Sequence, residues 1–314
     1  MPAYSHIPVL LQEVLQHLEP KADHNYVDAT LGGAGYTKSL LSQSAPHGKI
    51  LAIDLDEKAL EHAAALTAKT DRLVLAHGNF RDIDHHVKKH AFKDIDGIVA
   101  DIGLSSYQLD QSGRGISFQK KELLDMRFDI SSQLPDARFI LNHWTIAELT
   151  SLFADYGEEK YSSRIAKEIV HQRESGNEIK YTTNLNESIQ NALPKPQKHF
   201  WQDAARRIYQ ALRIEVNHEL ENLEVFLPKA FDLLNPGGRL VVVTFHSLED
   251  RIVKNYFKGL VDGCVCPNEF PICKCGFEPK AKLLTKKIIT ATEQELQSNM
   301  RAKPAKLRAI QKLL

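Results

Sequence analysis

The fold of this chain is decided by residues 25–37, NYVDATLGGAGYT, and by residues 49–56, KILAIDLD, which follow one helix length later. The first stretch is an apolar strand that ends in Asp28 and enters a glycine-rich turn, and the second is a strand that ends in Asp54. Glycines allow the backbone to approach a ligand closely, and the helix behind them offers free N–H groups. A carboxylate at the tip of the next strand is placed to bind both hydroxyls of a ribose. The pattern predicts a site for an adenosine-type cofactor.

The spacing of the glycines indicates which cofactor is bound. A dinucleotide-binding turn has a further glycine three residues after Gly35, where this chain has Lys38. Small residues instead follow Asp28 at every second position, namely Thr30, Gly32 and Ala34. This run approaches the acid-x-Gly-x-Gly-x-Gly pattern of class I S-adenosylmethionine methyltransferases, with two of the three glycines replaced. The sequence favours a methyl donor over a dinucleotide, and a glycine turn with a purely structural role is the remaining alternative.

The composition, 43% hydrophobic and 25% charged residues, is typical of a globular protein of one large domain or two modest ones. No run of 18 apolar residues occurs, so we expect no membrane span and a cytoplasmic location. The net charge is zero, yet residues 280–314 carry nine Lys or Arg and two acids. This segment indicates either a polyanion-binding tail or a solvated basic face.

The four cysteines fall within one short segment, at Cys264, Cys266, Cys273 and Cys275. Four thiolates this close together are able to hold zinc tetrahedrally. The C-x-C spacing is tighter than the usual zinc knuckle, however, and an ordinary loop with free cysteines is the alternative. The sequence leaves the metal question open.

Short apolar strands alternate with helical stretches along the N-terminal third, which is typical of a parallel sheet covered by helices. The predicted strands are Tyr26–Thr30, Ile50–Asp54, Arg72–Ala76, Gly97–Asp101 and, much later, Arg239–Phe245. The intervening segment is predicted to be helical, with helices at Ile146–Tyr156, Ser162–Arg173 and Asn186–Ala192 and a further one at Ile214–Leu234. We therefore expect a discontinuous α/β domain (residues 1–112 and 206–314) with an inserted all-helical domain (residues 113–205).

Ligands of such sheets bind at the carboxyl ends of the strands. The residues predicted at those ends are Asp28, Asp54, His77–Phe80, Asp101 and His246. Phe80 is a candidate to stack on an adenine ring, and a core phenylalanine is its alternative. Methyltransferases that act on exocyclic base amines often carry an acid-Pro-Pro-aromatic motif after the fourth strand. This chain keeps the acid, Asp101, but lacks the prolines and the adjacent aromatic, so that position alone does not identify the substrate.

Longer motifs along the whole chain resemble one family, the RsmH or MraW small-subunit ribosomal RNA cytosine-N4 methyltransferases. The matching motifs are HIPVLLQEV (6–14), DATLGGAGYT (28–37), DIGLSSYQLDQSGRGISF (101–118), LLDMRFD (123–129), YGEEKYSSRIAKEIV (156–170), YQALRIEVNHELENLE (209–224), TFHSLEDRIVK (244–254) and NMRAKPAKLRA (299–309). The resemblance implies a class I, Rossmann-like methyltransferase sheet with an inserted helical domain. It also implies N4-methylation of one cytosine near the decoding centre of the small ribosomal subunit.

Cofactor contacts follow from the resemblance. They fall on Ala34, Gly35, Tyr36, Asp54, Phe80, Asp101 and Gln108. The family commonly has glycine at the position of Ala34 and histidine at the position of Tyr36. Neither departure removes a titratable group that the chemistry needs, so we expect S-adenosylmethionine binding to be retained.

Asp101 and His246 are the candidates for catalytic residues. Asp101 is placed either to accept a hydrogen bond from the target amine or, as the resemblance implies, to bind the amino group of the cofactor's methionine. His246 either accepts a proton or is a packing histidine satisfied by Glu249 or Asp250.

Further residues are predicted to contact RNA. Tyr107 and Phe118 are candidates to stack on the target base, and Arg114, Arg127, Lys306 and Arg308 are candidates for phosphate contacts. Two other classes of function remain open at this point: a non-catalytic RNA-binding assembly factor and a nicotinamide-dependent oxidoreductase. Within the methyltransferases, a DNA or small-molecule substrate is the alternative, and the oligomeric state is undetermined.

Overall fold

The computed structural model describes residues 8–103, 113–263, 266 and 274–313. The chain forms two compact units, Met1–Gly103 with Leu220–Leu314, and Leu104–Glu219. The inserted domain was predicted from the sequence at residues 113–205, so the structural division lies outside both predicted boundaries. Among the described residues no helix combines the length and the apolar character needed to cross a membrane.

The first unit is built on a single sheet. Its described strands are β1 (Asn25–Asp28), β2 (Ile50–Asp54), β3 (Leu73–His77), β4 (Ile95–Asp101), β5 (Leu234–Thr244), β6 (Ala281–Leu283) and β7 (Lys306–Lys312). They lie in the order β3-β2-β1-β4-β5-β7-β6, with β1 to β5 parallel and β7 antiparallel to both of its neighbours. The strand order reverses at β1, which lies between β2 and β4, so the carboxyl ends there form a crevice. This is the class I methyltransferase topology, and the predicted fold class is confirmed.

Helices connect the strands and form the second unit. In chain order, the described helices are α1 (Leu11–Leu18), α2 (Gly35–Gln43), α3 (Glu57–Thr67), α4 (Ile83–Lys89), α5 (Ala137–His143), α6 (Ile146–Asp155), α7 (Ser162–Glu174), α8 (Thr182–Ala192), α9 (Trp201–Asn217), α10 (Glu219–Leu233), α11 (Ser247–Val261) and α12 (Glu293–Ser298). Three further 3₁₀ turns lie at Phe80–Asp82, Lys195–Phe200 and Met300–Ala302.

The sheet separates two apolar clusters, one on each face. Because side chains along a strand alternate between the faces, strand residues enter the two clusters in turn. The cluster that concerns the site includes Tyr26, Ala52, Val99 and Val243. Asp28, Asp54 and Asp101 each stand two positions after one of these residues. The three acids at the strand ends therefore lie on one face of the sheet.

The second unit has its own core, formed by apolar side chains of α5 to α9. Helix α6 begins with a capping box in which Thr145 and Glu148 bond each other's backbone N–H groups, which fixes its first turn. The three helices predicted within this segment are present as α6, α7 and α8. An independent core of this kind is what a separately folding unit requires.

Three local predictions were wrong. The predicted helix Ile214–Leu234 is two helices, because His218 adopts a left-handed φ of 51° and ends α9. The strand predicted to begin at Arg239 begins at Leu234 instead, so residues 235–238 lie inside β5, where the pairing with β4 shifts register. The C-terminal segment, predicted only as a basic tail, contains β7, which is inserted between β5 and β6.

Candidate active site

The glycine-rich turn between β1 and α2 is anchored by the buried carboxylate of Asp28. Thr37 Oγ1 donates to Asp28 Oδ2 at 2.6 Å, and the backbone N–H of Thr30 donates to Oδ1 at 3.3 Å. Burial raises the pKa of Asp28 to about 7, although both hydrogen bonds oppose the rise. Asp28 thus holds the turn at both ends and is itself shielded from solvent.

Packing constrains one residue of the turn, and backbone conformation constrains another. A Cβ on Gly35 would lie 2.6 Å from Pro8 Cγ, so the glycine is required by the N-terminal segment packed against it. Ala34 has a left-handed φ of 59°, a conformation that glycine adopts at lower cost. The methyl group of Ala34 is buried in the core on this face.

Asp54 joins the end of β2 to the same turn. Its Oδ2 accepts the backbone N–H of Gly32 at 2.7 Å, and its Oδ1 accepts the N–H of Asp56 at 2.8 Å. Burial raises the pKa of Asp54 to about 6, and the hydrogen bonds from these N–H groups offset only part of the effect of burial. The residue is still partly exposed, and each carboxylate oxygen can accept more than one hydrogen bond. Asp54 is therefore held in place with acceptor capacity left for a diol.

Asp101 lies at the end of β4, on the other side of β1. Its Oδ2 is 3.3 Å from the hydroxyl of Tyr36, which also donates to the carbonyl of Val9. Its Oδ1 accepts the N–H of Gly103 at 3.1 Å, and its own N–H donates to Thr30 Oγ1 at 2.7 Å. Burial raises the pKa of Asp101 to about 6. The glycine turn, the N-terminal segment and the end of β4 are thus linked through one carboxylate.

Phe80 lies in the turn after β3. The N–H of Gly78 donates to the carbonyl of Asp54 at 2.9 Å, which ties this turn to the end of β2. The ring of Phe80 packs edge-on against Phe226, with centroids 5.2 Å apart, and remains partly exposed. One side of the ring is therefore fixed by the core, beside the strand end that carries Asp54.

His246 caps helix α11 rather than standing free at the end of β5. Its Nδ1 accepts the N–H of Glu249 at 3.4 Å, and its Nε2 lies 2.9 Å from Glu249 Oε1 without a well-aligned hydrogen bond. Glu249 Oε2 accepts the N–H groups of Phe245 and His246 at 2.7 and 3.2 Å. The packing alternative for His246 therefore accounts for its contacts, and Asp101 is the better candidate for a proton acceptor.

Residues 3–313 match the MraW methylase family. The chain belongs to the MraW methylase family. It is similar to the ribosomal RNA small subunit methyltransferase H of Carboxydothermus hydrogenoformans, with 44% identity over 99% of this chain and 98% of the relative. The proteins of the same name from Pelobacter propionicus (44%, 100% of both) and Caldicellulosiruptor saccharolyticus (42%, 99% and 100%) are also similar. An rRNA methylase structure from Streptococcus thermophilus aligns over 99% of this chain and 100% of its own, at 12% identity and a TM-score of 0.41, too low to add to the argument.

Family membership confirms the resemblance drawn from the motifs, and the chain is a methyltransferase. Of the predicted cofactor contacts, the structure brings Ala34, Gly35, Tyr36, Asp54, Phe80 and Asp101 to the carboxyl edge around β1. Gln108 and Tyr107 lie outside the described residues. Cys264 and Cys273 also lie outside them, so the zinc alternative stays a prediction.

The cations predicted to bind phosphate in this methylase have protein partners. Arg127 makes two 2.8 Å hydrogen bonds to Asp125, and Arg114 donates to the carbonyl of Phe128 at 2.6 Å. Arg308 donates to both oxygens of Asp250 at 2.7 and 3.1 Å. Lys306 lies 3.8 Å from the same carboxylate. The three arginines hold the fold together in this structure.

Phe118, predicted to stack on the target base, belongs to the second unit. Its ring packs edge-on against Trp201 and Tyr209, with centroids 6.0 and 5.8 Å away. The ring of Phe118 therefore packs against the core of the helical unit.

Two contributors to the site are not evident from the sequence. Pro8 packs on Gly35, and the carbonyl of Val9 accepts a hydrogen bond from the Tyr36 hydroxyl. The motif HIPVLLQEV contains both residues, but nothing in it indicates that they meet the glycine turn. Glu249, which the sequence offers as a partner of His246, also binds the N–H groups at the end of β5.

Proposed function

We propose that this chain transfers a methyl group from S-adenosylmethionine to the N4 amine of one cytosine in small-subunit ribosomal RNA. The observation that carries the proposal is the arrangement at the carboxyl edge. Asp54 and Asp101 lie on one face of the sheet, on either side of the glycine turn. Asp54 accepts a hydrogen bond from the N–H of Gly32 in that turn, and the N–H of Asp101 donates to Thr30 Oγ1, two residues after β1. Family membership supports the reaction class.

The residues at this edge fit the cofactor. In the described part of the chain, Asp28, Asp54 and Asp101 accept hydrogen bonds from neutral donors and are paired with no lysine or arginine. A carboxylate whose pKa is raised by burial is strongly stabilised as an anion by a cationic ligand. S-adenosylmethionine carries positive charge at its sulfur and amino group. Asp54 would hold the ribose and Phe80 the adenine. Bound S-adenosylmethionine supplies an electrophilic methyl group on its sulfonium.

The residues of the chain then have two tasks. The N4 amine of cytosine is a weak nucleophile because its lone pair is delocalised into the ring, so the amine must be held in line with the methyl group. Asp101 would accept a hydrogen bond from N4–H, which localises the lone pair, and would take the proton that N4 releases once the N–C bond has formed and the donor's C–S bond has broken. The alternative role of Asp101, binding the methionine amino group, predicts a different result on mutation.

Small-subunit rRNA is the substrate class named for the similar proteins. Specificity for one cytosine near the decoding centre follows from the family resemblance, and the helical unit is the part of the chain that we assign to RNA recognition. A ribosomal substrate places the protein in the cytoplasm.

The test is transfer from labelled S-adenosylmethionine to small subunits that lack the modification, followed by mass analysis of nucleosides. We expect N4-methylcytidine at one position, and none when the subunits already carry it. Methylation of DNA or of a small molecule instead would replace the proposed acceptor.

Two other results would overturn the proposal altogether. Donor binding without transfer to any acceptor would favour an assembly factor. Thermal stabilisation by a nicotinamide dinucleotide, and not by S-adenosylmethionine, would favour an oxidoreductase.

A further inference from the structure

The carboxyl ends of β4 and β5 lie side by side, next to the acid expected to face the target amine. Asp101 is paired with Val243 in the parallel register. Continuing that register by two residues brings Gly103 beside Phe245. Since Val243 belongs to the core on the face of Asp101, and Phe245 packs against the same core, the carboxylate and the ring share one face.

The ring of Phe245 fills the space above Gly103. A Cβ on Gly103 would lie 2.4 Å from Cε2, 2.8 Å from Cζ and 2.9 Å from Cδ2 of the ring. Gly103 does not have a positive φ, so glycine is required here by the approach of the ring and not by the backbone conformation. The N–H of the same Gly103 donates to Asp101 Oδ1 at 3.1 Å. Ring and carboxylate thus meet at one glycine.

The backbone of Phe245 is held by a buried acid. The N–H of Phe245 donates to Glu249 Oε2 at 2.7 Å, and Glu249 is buried. The ring packs partly on the core and is partly exposed. A ring that is already packed on the core loses little entropy when a base stacks on its exposed part.

Among the described residues, the site as built so far contains no ring assigned to the target base. A flat base must be oriented with its amine towards the acceptor, and aromatic stacking is the usual means, worth enough per base to change rates tenfold or more. The acid-Pro-Pro-aromatic motif provides such a ring directly after the acid, and this chain has none there. We infer that Phe245, from the neighbouring strand, provides the aromatic face on which the target cytosine stacks while Asp101 binds its amine. The inference rests on the proposed function and adds a substrate-positioning residue to it.

The test uses the full chain with three variants, Phe245→Leu, Phe245→Met and Phe245→Tyr. The single-turnover rate with saturating donor, the KM for small subunits and the dissociation constant of S-adenosylmethionine are measured for each. The Leu and Met variants should lose about 10–100-fold in rate divided by KM. The Tyr variant should stay within about threefold of the wild type, and all three should bind the donor within about twofold.

Tyr256→Leu is the matched control, because Tyr256 is a partly buried aromatic residue that packs against the apolar cluster on the other face of the sheet. It should bind the donor and transfer the methyl group as the wild type does. Gly103→Ala is a second route that keeps the ring but displaces it, and it should lose rate in the same way as Phe245→Leu. If Phe245→Leu and Phe245→Met do not fold, Gly103→Ala alone tests the inference.

A wild-type value of rate divided by KM in Phe245→Leu or in Gly103→Ala would overturn the inference, as would a loss of donor affinity as large as the loss in that ratio. If the wild-type chain itself transfers no methyl group, the proposed function fails and the inference fails with it. If the wild type transfers the group and the ring makes no difference, only the inference fails.

Discussion

Carboxylates in two regions of this chain differ in their partners, although the side chains are of the same type. At the carboxyl edge of the sheet, Asp28, Asp54 and Asp101 accept hydrogen bonds from N–H and hydroxyl groups, and burial raises their pKa values. In the helical unit, Asp125 binds Arg127, and Glu159 binds Arg207. Burial alone would raise the pKa of Asp125, but the bonds from Arg127 outweigh it and the pKa is lowered.

We interpret this difference as separating acids proposed to bind a ligand from acids that stabilise the fold. A carboxylate already paired with arginine is stabilised as an anion and has little left to gain from a ligand. A buried carboxylate that has only neutral donors keeps its affinity for a cation. Its burial lowers the stability of the ligand-free protein, because no cation compensates the charge. Substitution of acids in the two regions tests this division.

Asp101→Asn should reduce methyl transfer about 10²–10⁴-fold at saturating donor, because an amide does not accept the amine proton. In the wild type, the pKa of about 6 predicts that the rate divided by the KM for the donor falls as the pH drops below that value. Single-turnover rates between pH 5 and 8, at saturating and at limiting donor, measure both effects. If the variant instead loses donor affinity and keeps its rate at saturation, Asp101 binds the methionine amino group.

Asp28→Asn should change how stability depends on pH. The folded pKa of about 7 lies above the ordinary value of 3.8, so the stabilising effect of protonation is complete below about pH 4 and is lost as the pH rises through 7. The variant has no such loss, and its stability relative to wild type should improve by about 2–4 kcal/mol from pH 4 to 8. Urea unfolding at several pH values measures this difference.

Asp125→Asn is the control for that experiment. The pKa of Asp125 is lowered, so its contribution is present above the ordinary pKa and is lost only as the pH falls towards the folded value. Its stability deficit should therefore be constant between pH 5 and 8. If the stability difference between Asp28→Asn and wild type is also independent of pH, the acids of the two regions do not differ in the direction of their pKa shifts.

Glu159→Gln should lower the free energy of unfolding by about 1–3 kcal/mol, because it leaves the guanidinium of Arg207 without its anion. The side chain of Glu159 is fully buried, and that of Arg207 is 39% exposed, which reduces the expected loss. Donor affinity, measured by calorimetry, should stay at the wild-type value. A weakened donor affinity would contradict a purely structural role for this pair.

Asp54→Ala should weaken S-adenosylmethionine binding by about 1–3 kcal/mol, through loss of charged hydrogen bonds to the ribose. Asp56→Ala is the matched control, since Asp56 is two residues away and caps α3 through the N–H of Lys58 at 3.0 Å. The control should lose about 1 kcal/mol of stability and little donor affinity. Equal donor affinity in Asp54→Ala and wild type would mean that the cofactor is placed wrongly.

The fold and the acids of the site could be predicted because they depend on local patterns. Apolar strands that end in Asp28, Asp54 and Asp101 identify the sheet and the edge where a ligand binds. The strand β7 was missed because Leu307 and Ala309 alternate with basic residues and read as a charged tail.

Contacts between distant segments could not be predicted in the same way. The pair Arg308–Asp250 joins residues 58 positions apart, and the Tyr36 hydroxyl reaches a carbonyl 27 positions away. Sequence spacing specifies neither partner. A buried arginine pair and a solvent-exposed phosphate contact use the same residue type, so only the structure separates them.

The smallest expected effect concerns the basic C-terminal segment. The side chain of Lys303 is exposed, whereas that of Arg308 is 15% exposed and bound to Asp250. Lys303→Gln should reduce the slope of log affinity for small subunits against log salt by about 0.7–1, the effect of one lost phosphate contact. Arg308→Gln should leave the slope unchanged and lower stability, because its charge is already neutralised within the fold. A reduced slope in Arg308→Gln alone would mean that Arg308 leaves Asp250 to bind RNA.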